Sequence, residues 1–128
     1  MKRFSIIVIS VQLLIGIAHA EQRFVLNGVF CNTEKQIENT IVAVGDSVSL
    51  EMAIEQQNRD AVNCVYADKI QYMVIDPAIL GKLAHNGTIF MKYEATLVGV
   101  LVGGNPRTIA PPVRTFFFRM GVLTGSAK

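Results

Sequence analysis

Beyond position 20, the residues whose types and spacing could do chemistry are two cysteines, one histidine and two carboxylate pairs. Cys31 and Cys64 are too far apart for the C-x-x-C of a redox pair, and His85 alone cannot complete a metal site with them. Two free thiols suit a reducing compartment better than an oxidising one. The pair therefore reads as a structural disulfide, and closing a loop of this length stabilises a fold by about 3–4 kcal/mol through chain entropy. His85 sits beside a turn and reads as a solvated loop residue, because a general base needs a positioned nucleophile. Ser47 and Ser49 lie near a helix start, where capping accounts for them. Glu34/Glu38 and Glu51/Glu55 stand at i, i+4 on polar helix faces, with no apolar pocket evident to shift them. Gly103-Gly104-Asn105-Pro106 joins two strands and so is not a phosphate loop. Asn86-Gly87-Thr88 has the form of a glycosylation acceptor but reads as a plain turn. No cofactor or metal constellation is present in the pattern, and the chain is not expected to be an enzyme.

The first twenty residues explain the compartment in which such a bridge would persist. Met1, Lys2 and Arg3 open the chain, an apolar stretch runs from Ile6 to Ile17, and Ala18-His19-Ala20 closes it. A charged start, a short apolar middle and an A-x-A end form a cleavable signal peptide over 1–20, with cleavage before Glu21. The apolar stretch falls short of the ~20 residues that span a bilayer. No transmembrane span is expected after processing, and the expected destination is the periplasm or, beyond it, the medium.

The remaining residues 21–128 suit one small domain. Without Lys2 and Arg3 it carries ten basic and ten acidic side chains, so it lacks the basic surplus that nucleic-acid binding requires. The balance hides an asymmetry: residues 21–81 hold four basic and nine acidic groups, residues 82–128 six basic and one acidic. Acidic helices complementing a basic sheet is the simpler explanation; a basic face meeting an anionic partner is the sharper one.

The elements that would position these groups follow from periodicity. Residues 23–30 read as a strand ending at Cys31. Asn32 or Thr33 caps a helix, Thr33 and Gln36 fitting a capping box, and Ile37, Ile41 and Val44 make its apolar stripe. After Gly45, Asp46 or Ser47 caps a second helix with Leu50, Ala53, Ile54 and Gln57 on one face, ending at Asn58-Arg59-Asp60. Alternation from Cys64 through Tyr66, Ile70, Tyr72 and Val74 is strand-like, and Asp76-Pro77 marks a turn. Residues 77–87 read as a short helical turn or loop ending at Asn86-Gly87. Residues 88–102 make the strongest strand, and a last one runs from Arg107 to Leu123, with Pro111-Pro112 marking an edge or bulge. In it Phe116, Phe118 and Met120 are expected to face the core, and Thr115, Phe117 and Arg119 to face outward. Residues 125–128 form a tail.

The fold class expected is α+β: two short N-terminal helices packed on a three- to four-stranded antiparallel meander, with one disulfide. The competing architecture is a small β-barrel with a helical insert. Cys31-Asn32-Thr33-Glu34-Lys35-Gln36-Ile37 resembles the C-[DN]-T-x-x-Q-[IV] start of a group of small exported proteobacterial proteins of rhizobial type. Ala53-Ile54, Asn58, Cys64, the Gly87 turn and Leu97-Val98-Gly99-Val100 follow in the order found in that group, which the chain resembles over roughly residues 28–120. It departs from the group in its longer strand around residues 88–95. The resemblance implies fold and compartment and carries over no site.

Leu97–Val102 and Phe116-Phe117-Phe118 are apolar on both strand faces, more than a one-faced sheet requires. Burial under the helices and the Phe24 segment is the simpler reading. The first functional expectation is a non-catalytic interaction or structural module of the cell envelope, using Arg114, Phe117 and Arg119 to meet a protein or an anionic envelope surface; homodimers fit it too. The alternative is a small-ligand carrier with a pocket between helices and sheet lined by Tyr72, Met91 and Tyr93. An enzyme centred on His85 ranks last.

Overall fold

The computed structural model describes residues 22–120, so the expected signal peptide over 1–20, the end of the last expected strand near Leu123 and the expected tail 125–128 lie outside the described residues. In chain order the elements are β1 (Phe24–Cys31), α1 (Glu34–Gly45), α2 (Leu50–Gln57), β2 (Cys64–His85), β3 (Thr88–Val102) and β4 (Asn105–Arg119). The strands pair antiparallel in sequence order, and β4 returns to β1 through Phe30↔Phe117 and Cys31↔Phe116. The meander is thereby closed into a four-stranded barrel, the shape expected only as the competing architecture. Two helices, an antiparallel sheet and one disulfide agree with the α+β reading, although strand predominates.

Closing so few strands demands sharp bending, and bulges supply it by adding twist and kinking the bulged strand. β2 slips register against β3 at Met73/Val74, Ile75/Ala78 and Ile79/Gly81, and β1 slips against β2 at Leu26/Gly28. The expected turn at Asp76-Pro77 is one of these bulges. Asp76 takes φ 52°, Pro77 has no N–H to place in the ladder, and the strand continues beyond them to His85. Residues 77–87 are accordingly strand and hairpin turn rather than helical turn or loop. Pro111-Pro112 lies where β4 steps from Val113 to Thr108 against Leu97/Gly99, a bulge on a strand edge that β1 does not reach. Gly99 is required there, since a Cβ would lie 2.7 Å from the Arg107 carbonyl oxygen and from Met73 Cε.

Successive strand residues point to opposite faces, so the barrel wall serves two cores. Inside are Phe24, Leu26, Phe30, Val74, Met91, Tyr93, Leu97 and Phe117. Outside, Ile37 and Ile41 of α1 with Leu50 and Ile54 of α2 cover Val29, Phe90, Phe116, Phe118 and the disulfide. This double burial accounts for the apolar run Phe116-Phe117-Phe118. It also corrects the facing expected of β4: Thr115 and Phe117 are buried, while Met120 is 71 % exposed.

The helices begin where side chains satisfy their open N–H groups. Thr33 Oγ1 accepts from the Gln36 amide while Gln36 Oε1 accepts from the Asn32 and Thr33 amides, the expected capping box. The second cap is Ser49 rather than Asp46 or Ser47. Asn58 ends α2 and ties it to β2, donating to the Cys64 carbonyl and accepting from the Asn63 and Cys64 amides.

Glu34 and Glu38 are not a merely solvated pair: both accept from Lys92 Nζ, at 2.9 and 2.7 Å, where the lysine side chain is 11 % exposed. The hydrogen bond from Glu38 raises the Lys92 pKa above the ordinary 10.5; burial opposes that rise, and Glu34 adds to it. Acidic helix thus meets basic sheet inside the fold. Replacing Glu34→Gln and Glu38→Gln together strands a largely buried ammonium and should cost about 2–3 kcal/mol. Lys92→Met leaves two carboxylates that water reaches and should cost about 1 kcal/mol. Because the folded-state pKa is raised, the lysine's contribution is full below pH 10.5 and is lost as pH rises through the raised value. Thermal melts of wild type and Lys92→Met should therefore differ by a steady amount from neutral pH up to that range and converge above it.

Candidate functional site

His85 is not the solvated loop residue expected. It ends β2 with a side chain 27 % exposed, its Nε2 2.6 Å from Asp46 Oδ1. Asn86 donates to the same carboxylate oxygen at 2.8 Å and to the Gly45 carbonyl at 2.9 Å. The imidazole also lies against the end of α1 so closely that a Cβ on Gly45 would come within 2.6 Å of its Cδ2. This cluster clamps the β2–β3 hairpin to the end of α1. It also occupies the side chain of the Asn86-Gly87-Thr88 sequence.

The other predicted residues are dispersed. Phe117 is 2 % exposed, stacked on Tyr93 with ring centroids 5.1 Å apart and tilted against Phe30 at 5.2 Å, so it cannot serve as a surface contact. Inward orientation in a closed barrel is the cause. Arg114 is exposed and donates to Glu94 Oε1 at 2.7 Å. Arg119 is half-buried, its Nε lacking a partner among the described residues. These three therefore form no common face. The carrier pocket is corrected likewise: Met91 and Tyr93 lie inside the barrel, and the layer between helices and sheet is filled by the second core.

A concave site lies at one mouth of the barrel. There β1 leaves the sheet after Cys31, while β4 runs on past it to the turn at Gly103-Gly104. A cleft of about 80 Å³ opens between Val62-Asn63 on one side and Val113-Arg114-Thr115 on the other. Phe30, Val65, Tyr72 and Leu97 line it from the interior. Val62 is 74 % exposed and Val113 45 %, so apolar surface continues outward onto the rim. Burial raises the Tyr72 pKa, which keeps the phenol neutral. Arg114 borders the cleft with its guanidinium already engaged by Glu94.

The recess is lined by apolar side chains (Phe30, Val62, Val65, Leu97, Val113) and by polar ones (Asn32, Asn63, Arg114, Thr115) together. Of the residues named in the sequence as candidates for a surface or a pocket, Tyr72 and Arg114 border it, as does Leu97 of the apolar run Leu97–Val102. Val62, Asn63, Val113 and Thr115 were missed, because the cleft joins segments far apart in sequence. The available signal was an apolar residue in each of two otherwise polar or proline-rich stretches, Val62 after Asp60 and Val113 after Pro112. Fold and site define a small closed β-barrel with a disulfide-tied helical pair on its outer wall. No family model, curated protein or solved structure matches the chain.

Proposed function

We propose that the chain is a non-catalytic interaction module of the cell envelope whose contact surface is the barrel mouth around Val62 and Val113. The observation that carries this reading is the cleft itself: here two exposed valines flank a recess whose wall mixes apolar and polar side chains. Its volume suits one inserted group rather than a whole drug-sized ligand, whose pockets run to about 300–1,000 Å³. The disulfide, and the absence among the described residues of a helix long and apolar enough to cross a membrane, fit an exported protein. The signal-like first twenty residues and the resemblance to small exported proteobacterial proteins favour the periplasm.

The test is photo-crosslinking in intact cells, with a benzophenone amino acid at Val62, at Val113 or at Ile89. Ile89 is 55 % exposed and lies near the hairpin at the other end of β3, so it serves as the control. An adduct of defined mass at both mouth positions, absent at Ile89 and abolished by Val113→Asp, is expected. Equal adducts at all three positions, or adducts at Ile89 alone, would remove the mouth as the contact surface.

A further inference from the structure

The cleft lies on the line that β1 would follow if it did not stop. Up to Cys31 this strand runs between β2 and β4, with Cys64 on one side and Phe116 on the other. Both neighbours are antiparallel to it, so each further step along its line meets the preceding residue of each neighbour. Past Cys31 the line would pass Asn63 and Val62 on the β2 side, and Thr115, Arg114 and Val113 on the β4 side. Those are the residues that form the two walls of the cleft. The chain itself turns away: Asn32 donates its amide to the Asn63 carbonyl at 3.0 Å, and Thr33 then caps α1. The cleft is thus a strand position that β1 vacates. Val113–Thr115 pairs with β3 on one edge and with no described strand on the other, so alternate main-chain N–H and C=O groups there face the gap. Pro112 has no N–H to donate, which ends the usable edge at Val113.

The mixed wall fits the two faces of an inserted strand. Val113 is the cross-strand partner of Leu97, and Thr115 is in step with Phe117, so both border the side that faces the interior core. Arg114 lies between them on the outward side, its side chain 64 % exposed. It donates to Glu94 through Nη1, and a guanidinium has further donors to offer. β4 carries Arg107, Arg114 and Arg119 and no acidic residue, so its outer edge complements negative charge. Both described chain ends lie on the far side of the β1–β4 seam from the cleft, Gln22 before β1 and Met120 after β4, which points to another molecule as the source of an occupant.

Resting on the interaction reading above, we infer that the cleft accepts the extended main chain of a partner protein, which takes up the line of β1, pairs antiparallel with Val113–Thr115, and sets an apolar side chain inward beside Val113 and an acidic one outward beside Arg114. Main-chain hydrogen bonds supply the attraction in such strand addition, and the alternate side chains supply the selectivity.

The experiment is a chemical-shift titration of the oxidised, isotope-labelled protein with the peptide acetyl-Glu-Val-Glu-Val-amide. The resonances of Val62, Val113 and Thr115 should move, with a dissociation constant of about 1 mM or tighter. Methylating the main-chain nitrogens of the glutamates, or those of the valines, removes the donors from one edge of the probe and keeps its side chains. One of these two forms should bind at least about tenfold more weakly and the other within about twofold of the parent, because only one edge meets β4. The analogue acetyl-Lys-Val-Lys-Val-amide should bind about threefold more weakly, the size of an exposed charge contact. No response to the parent peptide, equal effects of the two methylations, or equal or tighter binding of the lysine analogue would overturn the assignment. A dimer of the protein alone that excludes the probe would make a second copy the occupant and overturn it as well. A null titration accompanied by crosslinks at Val62 and Val113 would sink strand addition alone; missing crosslinks would sink the interaction reading.

Discussion

Phe117→Ala should cost about 3–5 kcal/mol, the usual range for emptying a buried aromatic site. The ring is stacked on Tyr93 at 6° between planes and tilted at 45° against Phe30, which in turn packs on Tyr72 at 4.5 Å. Removing it empties the middle of an aromatic row that links β1, β2, β3 and β4, and a barrel wall tied by hydrogen bonds cannot collapse into the void. The seam adds to the loss, because Phe117 is one of two β4 residues that pair with β1. Set against a total of about 5–15 kcal/mol for a small domain, the variant should be mostly unfolded or lose tens of degrees of melting temperature. Urea denaturation followed by circular dichroism measures it. Phe117→Leu should lose much less, since it keeps most of the apolar volume. A Phe117→Ala protein within about 1 kcal/mol of wild type would return the ring to the surface, where a scattered substitution has effects of that size.

That result bears directly on what the sequence could convey. Alternation places a strand residue inside or outside only when one face is polar, and Phe116-Phe117-Phe118 gives no such contrast. At Phe116–Phe118 both faces of β4 are covered, one by the barrel interior and one by the helical layer, so the parity of Phe117 was not encoded locally. Local signals did carry where the interaction was itself local: Thr33 and Gln36 form their capping box three residues apart. Asp76-Pro77 shows the limit of punctuation, because a turn and a bulge draw on the same backbone properties. Only the pairing of β2 with β3 on both sides of it decides between them. Barrel closure depends on two residue pairs between β1 and β4, a long-range event with no pattern of its own. The cleft was illegible for the same reason, being the gap left where β1 departs and β4 continues.

Replacing both cysteines, Cys31→Ala with Cys64→Ala, should cost about 3–4 kcal/mol, and the loss should be unevenly spread. The two residues are direct cross-strand partners with Cα atoms 4.0 Å apart, at the point where β1 leaves the barrel and β2 enters it. The loop they close contains α1 and α2 entirely, so the bridge restricts the conformations that this segment can reach in the unfolded chain. The sulfur atoms also help fill the second core, and alanine removes that volume. The barrel interior, by contrast, keeps all its contacts. Hydrogen exchange on the double variant should therefore show the amides of α1, α2 and the first residues of β2 opening well before Val74 or Leu97. Those two belong to the interior core and depend on neither the bridge nor the helices. Uniform acceleration across the chain would instead mean that the helical layer and the barrel fold as one cooperative unit, with the bridge stabilising both. Unchanged stability would mean that the outer core and the Asn58 hydrogen bonds to Asn63 and Cys64 already hold the loop ends together without it.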